Sequence, residues 1–308
     1  MHITLLGFYS GQVERGVEVY AQELKRYLPA HRVDIISAPK INWTKDFSRQ
    51  IARFTSQTLR QLETDPPDIL YPLNNRWQSI LCKLFCLRHK TKLVLGGHSG
   101  LGWDDKLNLW LFPDVFICFT HAQEQWAKTV NPLIKTTVIP HGVDLRQFTP
   151  HGPKGKLNLP RPIFLTVSAP HKNIQDTIAA VAQLNQGSLL VLGSVGTTVP
   201  HNIIDQYYRA ADVFTLASSP SEAFGISYLE AMACNLPVVA TDDPIRREII
   251  DSAGLFIENP HRIAEYATTL KAAAETSWGN KPYHQAQKFS WDTVANQYET
   301  AFSKLLAA

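Results

Sequence analysis

Two carboxylates bracket a glycine in "SSPSEAFGISYLEAMACNLPVVATD", residues 218–242. Glu222 stands in a Ser/Pro loop, Phe224-Gly225-Ile226 follow at once, and Glu230 falls inside an apolar run with helical spacing. "DVFTLASS" ends a strand and "ISYLEAMAC" reads as a helix, so the backbone N–H groups near Phe224, Gly225 and Ile226 are the unpaired donors of a helix N-terminus. Such donors form a ready anion site, and glycine lets a phosphate come close. Glu230 lies ~8 Å further along the axis at ~1.5 Å per residue. An extended ligand with a diphosphate at its middle touches the amides with its phosphates and meets one Glu at each end. Carboxylates suit sugar and ribose hydroxyls because they accept hydrogen bonds strongly.

Other side chains stand where chemistry is possible. Lys172 occupies a strand-to-helix turn in "APHKNIQD", and His98 follows a strand in the Gly-rich "GGHSG". Taken singly, each of these residues has an ordinary structural explanation, the two Glu as solvated charges. Jointly, Glu222 and Glu230 with Phe-Gly between them favour a ligand site. Asp242 and Asp243 are adjacent carboxylates after a strand and before Pro244, which reads as a helix cap rather than a metal pair. Cys82, Cys86, Cys118 and Cys234 show no metal spacing; Cys82 and Cys86, four apart in a helical stretch, read as small apolar residues, and a reducing compartment is expected. No metal site is expected.

The elements that must position these residues alternate through the chain. "HITLLG", "RVDIIS", "DILYP", "KLVLGG", "DVFICF" and "TTVIP" are strand-like, with helices over "VEVYAQELKRYL", 45–62, 77–88 and 121–130 between them. Residues 140–162 are rich in Pro, Gly and Lys, have no period, and read as a linker. The alternation resumes with "PIFLTVS", "SLLVLGS", "DVFTLAS", "LPVVAT" and "GLFIE", with helices over 172–185, 202–210, 225–234, 245–250 and 261–276. This is the α/β pattern of two doubly wound, Rossmann-like parallel sheets with helices on both faces. The expected divisions are 1–145, a linker at 146–161, 162–290, and a helix over 291–308 packing back on the first domain. Two such domains imply a cleft, and ligands of such sheets bind beyond the carboxyl ends of the strands.

The 308 residues suffice for two cores, and 44% of them are hydrophobic. A net charge of +3 is too small to favour nucleic acid as a partner. "MHITLLGFYSG" has no basic n-region, so no signal peptide is expected, and no apolar run is long enough to span a bilayer. The expected location is the cytoplasm. Residues 43–60 and 77–92 mix apolar side chains with Lys and Arg, as a peripheral membrane helix does and as a helix packed on a sheet also does.

"SEAFGISYLEAMACNLPVVATD" resembles the E-x7-E region of the family 4 glycosyltransferases, retaining enzymes of the GT-B fold. "ERGVEVYAQEL" resembles that family's first glycine loop, and "VIPHGVDLRQF" its inter-domain strand. "AADVF", "GLFIENPHRIAEYATTL" and "SWDTVANQYETAF" match the rest of its C-terminal half. The resemblance implies sugar transfer, without metal or other cofactor, from a nucleotide diphosphate donor to a glycan or lipid-linked acceptor. It implies that Glu222 faces the donor sugar, that Phe224, Gly225 and Ile226 hold the diphosphate, and that Glu230 binds the ribose. Lys172 matches a phosphate-binding lysine, His98 a histidine near the transferred sugar, and Gly16 the glycine loop near the phosphates.

The chain departs from that pattern in three places. Ser168-Ala169 stands where the family carries Gly-Arg before the lysine, the paired glycines of the first loop are reduced to Arg15-Gly16, and the second domain is shorter by about one strand-helix unit. The alternatives these departures leave are a nucleotide-sugar-binding protein with little transferase activity and a nucleotide-sugar epimerase on the same architecture.

Overall fold

The computed structural model describes residues 1–10, 16–39, 46–168, 174–193, 196–218 and 222–307. The chain divides into two compact units, Met1–His141 with Trp291–Ala308, and Gly142–Ser290.

Unit 1 runs β1 (His2–Leu6), α1 (Gly16–Tyr27), β2 (Arg32–Ile36), α2 (Phe47–Leu62), β3 (Ile69–Pro72), α3 (Trp77–Cys86), β4 (Lys92–Gly96), α4 (Trp103–Trp110), β5 (Val115–Cys118), α5 (His121–Val130) and β6 (Thr136–Val138). All pairings are parallel, in the order β2-β1-β3-β4-β5-β6. The inner strands are buried on both faces, which is why they are continuous apolar runs rather than alternating ones. All six expected strands are present. One helix of this unit was not expected: α4 buries Asp105, Asn108 and Leu109, so its inner face carries no apolar period.

Unit 2 runs β7 (Ile163–Ser168), α6 (Gln175–Gln183), β8 (Ser188–Gly193), α7 (Ile204–Ala210), β9 (Val213–Leu216), α8 (Ile226–Ala233), β10 (Val238–Thr241), α9 (Pro244–Ile250), β11 (Gly254–Ile257), α10 (Ile263–Glu275) and α11 (Lys281–Gln287). Its parallel sheet is ordered β11-β10-β9-β7-β8. As the sequence implies, a single strand, β8, lies between α6 and α7. The period-free stretch after β6 is fastened to this unit. Arg209 of α7, paired with Asp205, donates to the carbonyls of Pro153 at 2.8 Å and Thr149 at 3.2 Å, and the Gly155 amide donates to the Gln206 carbonyl at 2.8 Å.

The final helix, α12 (Trp291–Ala307), packs against α1. Tyr298 is fully buried and accepts a hydrogen bond at 2.8 Å from Tyr20 of α1, whose ring lies 5.9 Å from that of Trp291. The core of unit 1 is thus completed by residues about 150 positions downstream of its last strand. Truncating Tyr298 to Ala removes a ring from a closed aromatic cluster and should cost about 3–5 kcal/mol, as other large buried rings do, whereas Tyr298→Phe, losing only the hydroxyl, should cost about 1 kcal/mol. Six of the seven tryptophans belong to unit 1 and only Trp278 to unit 2. Urea unfolding followed by tryptophan fluorescence therefore measures both losses.

Candidate functional site

In unit 2 the strand order reverses between the neighbours β7 and β9, and a doubly wound sheet binds its ligands where the chain leaves such strands. β9 leads through Ser218 to Glu222 and into α8. Gly225 is the residue before α8 and holds φ +89°, a left-handed conformation in which a Cβ would come within 2.5 Å of the Tyr228 ring. Phe224 is buried, its ring 6.2 Å from Phe289, so its side chain anchors the turn. The amides of Gly225 and Ile226 find no acceptor among the described residues, as expected of a first helical turn.

A buried arginine fixes the loop that carries Glu222. Arg246 of α9 is 1% exposed. Its guanidinium donates to Ser218 Oγ from Nε at 3.0 Å and Nη2 at 2.8 Å, to the Glu222 carbonyl from Nη2 at 3.0 Å, and to Asp243 Oδ1 from Nη1 at 3.3 Å. Asp243 also caps α9, accepting from the amides of Ile245 and Arg246 at 3.0 Å. Tyr228 of α8 completes the set, donating to the Leu216 carbonyl at 2.9 Å with its oxygen 3.0 Å from Ser218 Oγ. The end of β9, the Glu222 backbone and the starts of α8 and α9 are thereby tied together.

Glu230, just over one turn into α8, is held from the other side. Tyr208 of α7 donates to Oε2 at 2.9 Å, and His201 Nε2 lies 3.5 Å from Oε1. Burial first, and then the Glu230 carboxylate, push the Tyr208 phenol well above its ordinary pKa, so it remains a donor. Phe148 places its ring edge-on to both partners, 5.9 Å from His201 and 6.1 Å from Tyr208.

Unit 1 contains a second polar site. Its strand order reverses between β1 and β3, and a cavity of about 330 Å³ opens at the carboxyl ends of β1, β3 and β4. Tyr9, Asn74, Asn75, Arg76, His98 and Ser99 line it, together with the starts of α2 and α3. The Phe8 amide donates to Asn74 Oδ1 at 2.7 Å, Asn108 of α4 donates to Asn75 Oδ1 at 2.7 Å, and Asn75 bonds Ser99. Asp105 of α4 accepts from the Ser99 amide at 3.1 Å. Arg76 holds φ 63°, a conformation costly for a side chain with a Cβ, at the rim of the cavity.

His98 reaches this cavity with part of its surface while its ring is enclosed. Burial alone pushes its pKa down to about 3, so the imidazole is neutral. Nε2 lies 3.0 Å from Tyr71 Oη, Tyr71 lies 3.4 Å from Tyr20 Oη, and Tyr20 bonds Tyr298, forming a buried chain from the final helix to His98. Nδ1 has no partner among the described residues. Gly96 lies beneath the ring, where a Cβ would collide with Tyr71 Oη.

The structure thus brings Glu222, Phe224, Gly225, Ile226 and Glu230 to one edge of unit 2 and places His98 in the unit 1 cavity. Gly16 is the first residue of α1 and exposed. Lys172 and Arg15 lie outside the described residues. Sequence reasoning missed Arg246, Tyr208, His201 and the Tyr20–Tyr71 pair. Arg246 and Arg247 are adjacent, yet Arg247 is exposed and paired with Asp242, and only packing separates them. Among the described residues no group of three or more His, Cys, Asp or Glu could hold a metal ion.

Residues 161–274 match the family described as glycosyl transferases, group 1. The chain is 32% identical over 111 residues to O-antigen chain mannosyltransferase B of Escherichia coli, an alignment covering 35% of this chain and 29% of that protein. The first curated relatives are matched over only 22–33% of their length. Among solved structures, a glycosyltransferase from Rickettsia africae ESF-5 superposes with a TM-score of 0.76 at 18% identity, covering 99% of both chains. Anabaena Alr3699/HepE, solved with UDP and glucose, gives 0.76 at 17% identity over 98% of this chain and 99% of that one. The fold, two parallel-sheet α/β domains with sheets of six and five strands, is that of GT-B glycosyltransferase structures.

Two outcomes follow from these networks. Arg246→Ala removes the guanidinium that Ser218, Asp243 and the Glu222 carbonyl share and should cost about 3–5 kcal/mol, with Arg246→Lys recovering part of it. Thermal unfolding measures the loss, and faster amide exchange at Phe224 and Gly225 in the lysine variant distinguishes a loosened loop from a general decline. His98 governs an acid limb. Its folded pKa is depressed relative to about 6.5 in the unfolded chain, so the unfolded state takes up a proton that the folded ring refuses. Stability contributed above pH ~6.5 is lost as pH falls toward ~3. His98→Gln should flatten urea stability against pH in that window by about 1.4 kcal/mol per pH unit, one proton's worth.

Proposed function

We propose, for a chain whose residues 161–274 match the family described as glycosyl transferases, group 1, that the protein is a retaining, family 4 transferase. It moves a sugar from a nucleotide diphosphate donor to a hydroxyl of a glycan or lipid-linked acceptor. The observation that carries this reading is the edge of unit 2, where an α-helix N-terminus stands between two fixed glutamates. Relatives support the substrate classes: one acts on an O-antigen chain by its name, and one structure of the same fold was solved with UDP and glucose.

In this reading Glu230 accepts hydrogen bonds from the ribose. Its carboxylate is already oriented by Tyr208, so little side-chain freedom is lost on binding. The amides of Phe224, Gly225 and Ile226 receive the diphosphate, where negative charge grows as the bond from the sugar to the leaving phosphate breaks. The electron pair of that bond passes to the diphosphate, and positive charge develops on the sugar. Glu222 orients the sugar by its hydroxyls, its backbone held by Arg246. Lys172 adds the side-chain cation, and the charge on the phosphates is met by amides and lysine without a metal. His98, neutral and hydrogen-bonded to Tyr71, presents a polar ring that adds no second positive charge beside the developing one.

The test begins with thermal stabilisation by a panel of nucleoside diphosphates and their sugars in excess chelator, since a ligand that binds only the folded state raises the melting temperature. Calorimetry with the bare nucleotide that stabilises best then separates the glutamates. Glu230→Ala should weaken it by about 10- to 100-fold, the worth of a hydrogen bond to a charged group, while Glu222→Ala should leave it within about threefold and lower transfer instead. Equal losses in both variants would place the ligand elsewhere. Loss of nucleotide binding in chelator, restored by a divalent ion, would overturn the metal-free reading.

A further inference from the structure

We propose that the outer face of α3 and α4 in unit 1 is a docking surface for an anionic lipid membrane. The two helices lie side by side. Arg76 pairs with Asp104 at 2.8 Å at their starts, and Lys83 Nζ donates to the Phe112 carbonyl at 2.5 Å at their ends. Each presents apolar side chains two turns apart, hence on one side at about 3.6 residues per turn. On α3 these are Trp77 and Leu84, with Leu87 just beyond, and on α4 Trp103 and Trp110, with the Phe112 ring 6.1 Å from Trp110. Trp103 is 76% exposed and Leu87 69%. Among the described residues nine large apolar side chains are exposed, and six of the nine fall within residues 77–112. That concentration sets the face apart from singly scattered surface residues.

The charges around the face select the occupant. Residues 69–103 contain no Asp or Glu, yet they hold Arg76, Lys83, Arg88, Lys90 and Lys92. Two of these are matched by acids outside that span, Arg76 by Asp104 and Lys92 by Asp114 at 3.7 Å. Arg88, Lys90 and, on α4, Lys106 are exposed. α2, which packs against α3, turns Arg49, Arg53 and Arg60 outward, with no acidic residue from 47 to 62. Tryptophan and leucine ringed by lysine and arginine is the composition of a surface that settles at the headgroup level, where the cations meet anionic lipids. The same face on a second copy would oppose like charges, so self-association is disfavoured. Among the described residues no helix is long and apolar enough to cross a membrane, so this face supplies attachment at the surface only.

The cavity of unit 1 reinforces the assignment. Its rim includes Arg76, Trp77 and Asp104, the residues that begin the two helices. A membrane on the α3–α4 face brings lipid headgroups to the mouth of the cavity. Only what the cavity then takes up rests on the transferase reading.

The test is flotation of the full chain with vesicles of phosphatidylcholine alone and of phosphatidylcholine with an equal share of phosphatidylglycerol, without donor or acceptor. Binding is expected to the anionic vesicles, to weaken with added salt, and to shift tryptophan emission to the blue. Trp103→Ser with Trp110→Ser, and separately Arg88→Glu with Lys90→Glu, should each lower the partition coefficient by ~10-fold or more. Unchanged nucleotide-independent melting of both variants shows that they are folded. No binding to anionic vesicles at low salt, or binding undiminished in both variants, would overturn the proposal. So would a concentration-dependent dimer, seen by light scattering, that the tryptophan substitutions dissolve. Because vesicle binding is read without nucleotide, its outcome is distinguishable from failure of the transferase reading.

Discussion

A guanidinium removed from water must give its N–H groups to protein acceptors, because an uncompensated buried cation costs several kcal/mol. Arg246 satisfies this with Ser218, Asp243 and the Glu222 carbonyl, and those three partners come from different elements. The ends of β9 and the starts of α8 and α9 are therefore not free to move apart. Gly225 can hold its left-handed turn, and Glu222 its position before the helix, because Ser218 and the Glu222 carbonyl share one buried donor. The same constraint explains why Tyr228 is buried without strain: its hydroxyl finds Ser218 and the Leu216 carbonyl, groups the arginine has already placed.

Unit 1 solves a related problem with neutral groups. Its buried polar core is a row of phenols ending on an imidazole, Tyr298 to Tyr20 to Tyr71 to His98. Burial raises the phenols and lowers the imidazole, so each is held in its uncharged form. No ion has to be desolvated to build the row. A neutral ring beside a cavity offers it hydrogen bonds without adding a charge.

Much of this is legible in the order of residues alone. Strands buried on both faces are unbroken apolar runs, so "DILYP", "KLVLGG" and "DVFTLAS" declare themselves, and all five strands of unit 2 stand out in the same way. Glu222 and Glu230 can be found because their spacing around Phe224-Gly225 is local. What stays hidden is whatever depends on contact across the fold. α4 turns Asp105 and Asn108 inward to hold Ser99 and Asn75, so its buried face looks polar and its period vanishes. α11 escapes for the same reason, burying Pro282 and Gln285. Tyr208 stands in "YYRAADVF" beside another tyrosine, and Arg246 beside another arginine. In both pairs the residue that serves the site is chosen by a rotation about the helix that no local pattern reports.

The placement of Tyr298 bears on how the chain matures during synthesis. It fills the centre of a unit whose sheet and first five helices lie between positions 1 and 141. On the ribosome, unit 2 emerges whole while that centre is still unfilled, and domains fold as units in the order they become available. The later segment therefore folds first. Until residues 291–307 arrive, Tyr20 and Tyr71 lack their partner and His98 lacks the far end of its hydrogen-bonded row. A nascent chain stalled before position 291 carries a finished unit 2 and an unfinished histidine, so such a premature product holds the Glu222–Glu230 edge without the completed His98 row.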